Sequence, residues 1–180
     1  MICFGVGPRP TKLISHVTGR PAVEPIRVYV GVDSAPTPQD RAAMAVKELE
    51  RTGAFDRPVL IVAGATGTGW LEPQSVDSIE YMWGGDTAIA TIQYSFLPSW
   101  ISFLVDKDRA SDAGQALFEA VYAKWSTLPP DKRPKLITYG LSLGSFAAQA
   151  PFGSAQDIAA RTDGALFEGT IEPVPLPSPG

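Results

Sequence analysis

One stretch constrains this chain more than any other: Lys135-Leu136-Ile137-Thr138-Tyr139-Gly140-Leu141-Ser142-Leu143-Gly144-Ser145. A short apolar run ends in Gly140, and Ser142 follows with Gly140 and Gly144 two positions to either side. Gly-x-Ser-x-Gly between a strand and a helix predicts a very sharp turn, with the serine at its tip in a strained backbone conformation. The residues two before and two after the serine then touch, which leaves space for little more than a hydrogen as side chain. Such a turn lifts the hydroxyl clear of the sheet. It also aims the first free N–H groups of the next helix at the place where an oxyanion would form. The competing reading is an ordinary Gly-rich turn between a strand and a helix. The two differ in whether residue 142 sits at an exposed, pinched corner or inside a regular element.

The rest of the chain alternates between strand and helix signals. Residues 26–32 are β-rich and alternate, which predicts a first strand. Thr37 can cap a helix that Pro38 starts, Asp40 completes a capping box, and Gly53 stops the helix after about Thr52. Residues 58–63 form a continuous apolar run, as in strands buried on both faces of a parallel sheet. A helix is predicted over 73–83, a third strand over 87–94, a short helix or lid over 98–105, and a long helix over 108–126 with Ala113, Leu117, Val121 and Trp125 on one face. After the Ser142 turn come a short helix over 154–161 and a last strand over 164–167. This alternation predicts a three-layer α/β sandwich with a mainly parallel sheet. Residues 1–25 read as a lead-in arm with at most a short turn at 11–17, residues 26–169 as the domain, and residues 170–180 as a Pro-rich disordered tail.

Composition narrows the function classes. A net charge of −4 excludes a strongly basic nucleic-acid binder. The single cysteine, Cys3, gives neither an intrachain disulfide nor a metal cluster, so no metal and no cofactor is expected. The run 87–105 has the length of a membrane span, but Gln93, Ser95, Pro98, Ser99 and Ser102 interrupt it, so it reads as a strand followed by a helix start.

Acyl transfer by a serine needs a nucleophile, a base, an acid that orients the base, and an oxyanion hole. Ser142 is the candidate nucleophile. The N–H of Leu143 is one oxyanion donor, and the loop Gly64-Ala65-Thr66-Gly67-Thr68-Gly69-Trp70 offers others at Gly67 and Thr68. That loop also reads as a plain flexible turn. No histidine follows Ser142, and the only one, His16, could act only if the lead-in arm folded back over the turn. Glu168 ends the last strand, where an orienting acid can sit, whereas Asp157 and Asp163 read as helix and turn residues. The Gly64 loop also suggests dinucleotide binding, but the required third glycine is Trp70, and the next strand ends at Gln93-Tyr94 instead of an acid. Tyr94, Phe96, Trp100 and Phe103 either line an acyl pocket or pack in the core.

With these residues in view, the chain resembles the α/β-hydrolase domain of an actinobacterial (mycobacterial-type) family in which that domain follows a multi-spanning membrane region. The resemblance covers residues 18–167. Its specific words are Thr18-Gly19-Arg20-Pro21, residues 25–31, residues 48–56, Thr66-Gly67-Thr68-Gly69-Trp70, residues 93–103 and the turn at 140–145. It implies an α/β-hydrolase fold, a serine nucleophile at Ser142, ester or lipid-type substrates, and membrane-associated full-length relatives. The chain departs from the pattern at Leu141, where an acidic residue is expected, and beyond Gly169, where relatives carry the acid and the histidine. The expectation is therefore a domain truncated at its C-terminus and impaired in turnover, soluble as this chain, with a membrane domain or a complementing polypeptide as partner. An open sheet edge is expected to drive dimerisation or aggregation. The alternative is a non-catalytic remnant that binds a lipid or a protein at the exposed end of its sheet.

Overall fold

The computed structural model describes residues 8–96 and 107–169. Five strands form one wholly parallel sheet: β1 (Ile26–Val30), β2 (Val59–Gly64), β3 (Thr87–Ile92), β4 (Lys135–Leu141) and β5 (Gly164–Glu168), in the order β1-β3-β2-β4-β5. The described helices are α1 (Thr11–Thr18), α2 (Pro38–Arg51), α3 (Pro73–Met82), α4 (Lys107–Ser126), α5 (Leu143–Gln149) and α6 (Ala155–Arg161). The α/β sandwich expected from the alternation is the fold observed. Because every strand runs the same way, all five C-terminal ends lie on one rim, where ligands bind in open α/β sheets.

Local signals explain most of the boundaries. Thr37 accepts the N–H of Asp40 at 3.1 Å and Pro38 opens α2. Ser154 caps α6 by accepting the N–H of Asp157 at 3.2 Å. The central strands β2 and β3 are buried at every position; β2 is an unbroken apolar run, whereas β3 also buries Thr87 and Thr91. Alternate residues divide the core. Leu60 and Val62 join Leu49, Leu117, Phe118, Val121 and Leu136 on one face. Val59 and Ile61 join Ile89, Val76, Leu71 and Tyr139 on the face under α3. Each such fully buried aliphatic side chain contributes about 1.5–3 kcal/mol relative to exposure. The predicted short helix or lid at 98–105 and the Pro-rich tail lie outside the described residues. No described helix is long and apolar enough to cross a membrane.

The segment before β1 departs from expectation. Instead of a short turn at 11–17, it forms α1, which ends at Gly19 in a left-handed conformation (φ 67°) and buries Ile14 completely. Charge pairing holds it to α3. Arg9 pairs with Asp77, and its N–H donates to Glu80 at 3.3 Å. Arg27 of β1 pairs with the same Glu80 at 2.6 Å, although the Glu80 side chain is fully buried. A buried carboxylate is tolerable only with such partners.

Candidate active site

Ser142 lies at the corner between β4 and α5, with φ 54° and ψ −121°. Among the described residues it is the one non-glycine with positive φ. It is exposed, while Leu143, Gly144 and Ser145 directly after it are buried. Such a conformation costs on the order of 1–3 kcal/mol and persists only where the surroundings over-determine it. Here they do. The Ser142 N–H donates to the Glu168 carbonyl at 2.7 Å, and the Ser142 carbonyl accepts from the N–H of Ser145 at 2.9 Å.

The glycines make the corner possible. A Cβ on Gly140 would lie 2.2 Å from the Gly144 carbonyl oxygen and 2.6 Å from the Ser145 nitrogen. A Cβ on Gly144 would lie 2.3 Å from the Gly64 carbonyl oxygen, and one on Gly64 would lie 2.1 Å from that of Gly144. Real side chains do not survive such contacts with backbone. The flanking residues two before and two after Ser142 therefore meet, as the sequence spacing predicts. A third glycine, Gly64 at the end of β2, opens the floor for α5.

That third contact also roots the second loop beside the corner. Gly64 pairs with Gly140 in the sheet, and the loop to Trp70 leaves from it. Inside the loop, Thr66 N–H donates to the Trp70 carbonyl at 3.1 Å, Gly69 N–H donates to the Thr66 carbonyl at 2.8 Å, and Gly69 has φ 82°. The Gly67 carbonyl accepts from Ser95 N–H at 2.9 Å. The loop is thus a hydrogen-bonded turn instead of a slack connection. The N–H groups of Gly67 and Thr68 have no acceptor among the described residues. The N–H of Leu143 is likewise unclaimed, as helix geometry leaves the first-turn donors of α5.

Glu168 is half-buried at the end of β5, paired in register with Leu141. Its backbone holds Ser142 and its carboxylate accepts from the Ser75 hydroxyl at 3.4 Å. Ser75 and Glu72 sit in and before the first turn of α3, and Tyr139 lies beneath them. The Tyr139 side chain is buried and its hydroxyl has no hydrogen-bond partner among the described residues. Burial pushes its pKa up, and the Glu168 and Glu72 carboxylates push the same way. The nearby Ser75 hydroxyl opposes them without closing a well-formed hydrogen bond. Sequence reasoning did not single out Ser75 or Tyr139. The available signal was topological: a helix returning from β2 to β3 starts at the rim where β4 ends.

Other candidates lie elsewhere. His16 is exposed on α1, whose C-terminal end adjoins Tyr81, Met82 and Trp83 at the end of α3. Gly84 and Gly85, which lead into β3, touch the chain just after α1: Val23 N–H donates to the Gly84 carbonyl at 3.0 Å. This is the rim where strands begin, opposite Ser142. Asp163 binds the Leu136 N–H at 2.8 Å and Asp157 binds the Gly153 N–H at 3.1 Å, both local structural bonds. Gln93 is buried, accepting from the Tyr29 hydroxyl and donating to the Ser95 carbonyl at 2.8 Å, which makes it a structural knot at the end of β3. Tyr94 is buried and Phe96 is 65% exposed, while Trp100 and Phe103 lie outside the described residues.

A family model described as the alpha/beta-hydrolase family matches residues 26–177. The chain belongs to the alpha/beta-hydrolase family. The match runs from β1 through the Ser142 corner and past β5, so it spans every strand of this sheet. Comparison with curated proteins and with solved structures returned no match.

Proposed function

We propose that this alpha/beta-hydrolase domain is a serine-hydrolase type site for carboxylic esters or lipid esters, with Ser142 as nucleophile. The observation that carries this reading is the left-handed backbone of exposed Ser142 at the end of β4 (φ 54°). A serine has no conformational reason to be there, whereas an attacking hydroxyl must stand clear of the sheet. When an ester carbonyl is attacked, negative charge develops on its oxygen. The N–H of Leu143 and those of Gly67 and Thr68 are the donors assigned to it. Glu168 is the carboxylate nearest in topology to Ser142, since its own carbonyl holds the serine's N–H.

The proton acceptor is the weak part of this machine. The chain's one histidine sits at the opposite rim, so turnover by this chain alone should be slow. Loss of the histidine in a serine hydrolase costs on the order of a million-fold in rate. A complementing polypeptide would supply it, in the place of the segment beyond Gly169 that carries the histidine in the actinobacterial group that the chain resembles. The same missing base favours a second reading, a non-catalytic domain that binds a lipid or a protein at this rim.

A fluorophosphonate probe separates the two. Dose-dependent labelling of folded protein, lost in Ser142→Ala, supports the hydrolase reading. Folded protein that takes no label refutes it in favour of the binding reading.

A further inference from the structure

We propose that Ser75 is a positioning residue of the Ser142 site: it holds one oxygen of the Glu168 carboxylate and leaves the other open to the ring N–H of an imidazole-type base. This inference rests on the hydrolase reading above, with Ser142 as nucleophile. Glu168 and Leu141 are paired across β5 and β4, so their side chains leave the same face of the sheet. Leu141 packs on the face under α3, where Tyr139 also lies. The Glu168 carboxylate therefore meets the first turn of α3, where the Ser75 hydroxyl donates to Oε1 at 3.4 Å. The carbonyl of the same residue accepts the Ser142 N–H at 2.7 Å. Glu168 thus ties the backbone of the nucleophile to the start of α3.

Neither partner is bonded as its neighbours are. A helical serine ordinarily bonds back to a carbonyl of its own helix. Ser78, one turn along α3, does so, donating to the Gln74 carbonyl at 2.7 Å. Ser75 instead gives its proton to a residue ninety-three positions away. Among carboxylates, Asp77 and Glu80 are paired with arginines, and Glu72 accepts the Gln74 N–H at 3.3 Å in its own helix cap. Glu168 has no cationic partner among the described residues, and Ser75 is the one hydrogen-bond partner of its side chain there. A neutral hydroxyl fixes a carboxylate without cancelling its charge. That charge is left for a cation that forms beside it.

The reaction needs such a cation. When Ser142 Oγ bonds to an ester carbonyl carbon, its proton passes to a base. An imidazole takes it on one ring nitrogen and becomes cationic, while the other ring nitrogen donates its N–H to the fixed carboxylate. A carboxylate held in one place keeps the ring turned toward the serine. The chain's own imidazole, His16, lies at the opposite rim, so the ring must be supplied.

Added imidazole and 1-methylimidazole test this, with fluorophosphonate labelling of Ser142 followed by intact mass. In that reaction the Ser142 Oγ–P bond forms, the P–F bond breaks, fluoride leaves, and the hydroxyl proton goes to the added base. The two bases are similar in strength, but only imidazole has an N–H for Glu168. A hydrogen bond to a charged group is worth about tenfold or more, so imidazole should speed labelling about ten times as much as 1-methylimidazole. Glu168→Ala should bring that ratio to about one, and Ser75→Ala should lower it about threefold or more. Ser75→Thr keeps the hydroxyl and should restore it. The ratio cancels changes in the unassisted reactivity of Ser142, so a merely structural role for Ser75 would leave it unmoved. Three results overturn the inference while the hydrolase reading stands: labelling of Ser142 with a parent ratio of about one, a ratio that Ser75→Ala or Glu168→Ala leaves at the parent value, or one that Ser75→Thr does not restore. Folded protein whose Ser142 takes no label with either base refutes the hydrolase reading, and the inference with it.

Discussion

Adding one methyl group at Gly140 should damage the fold far more than its size suggests. The Cβ of Gly140→Ala would stand 2.2 Å from the Gly144 carbonyl oxygen, 2.5 Å from its carbon and 2.6 Å from the Ser145 nitrogen. All three are backbone atoms of a corner pinned by the Ser142-to-Glu168 hydrogen bond of 2.7 Å, so no side chain can swing aside. Overpacking of a tight site costs about 1–3 kcal/mol, and contact with fixed backbone belongs at the upper end. The lower chain entropy of alanine in the unfolded state returns about 0.4–1 kcal/mol at most. A net loss of about 2–3 kcal/mol should lower Tm by roughly 4–12 °C for a chain of this size. Gly153→Ala is the control, because its Cβ meets nothing within 4 Å. It should leave Tm unchanged or slightly raised. Thermal unfolding followed by circular dichroism reads both. If Gly140→Ala melts with the parent, the corner is not pinched and the argument from the glycines is wrong.

Other outcomes follow from the same coordinates. Tyr139→Phe removes a buried hydroxyl that has no partner, so it should be neutral or stabilising by up to about 1 kcal/mol in urea titration. Burial raises the Tyr139 pKa above its ordinary 10.0, so above pH 10 the unfolded chain releases this proton first. Stability should therefore fall as pH rises past 10, and Tyr139→Phe should flatten that fall. Arg27→Met strands the fully buried Glu80 carboxylate and should cost about 3–5 kcal/mol, most of it recovered by adding Glu80→Leu. β5 ends the described sheet with Leu166 47% exposed, so light scattering should find concentration-dependent association that Leu166→Lys reduces.

The parts of this fold that sequence exposed are those whose cause is local. The corner at Ser142 was legible because two glycines at fixed spacing serve one backbone shape. α2 was legible because Thr37, Pro38 and Asp40 write its start. β2 was legible because burial on both faces leaves no polar residue in it, and β3 because its run of Thr and Ile is rich in β-branched side chains. What escaped depends on partners far along the chain. α1 has Pro10 before it with no side-chain cap, and β-branched residues within it, so its local signal is poor. Arg9 and Asp77, sixty-eight residues apart, hold it. Ser75 escaped notice for a similar reason: it reaches Glu168 across ninety-three residues, and only the strand order brings them together. On sequence alone His16 is a base only if the lead-in arm folds back over the corner, and the placement of the end of α1 beside Gly84, at the opposite rim, removes that condition.

The most direct test is a crystal structure of the chain after reaction with a dialkyl p-nitrophenyl phosphate. The account predicts a phosphoryl group on the Ser142 Oγ, positive φ at that residue, and the phosphoryl oxygen within about 3 Å of the Leu143 N–H and of the Gly67 or Thr68 N–H. A phosphoryl group on another side chain, or one on Ser142 whose oxygen points away from all three donors, would contradict it.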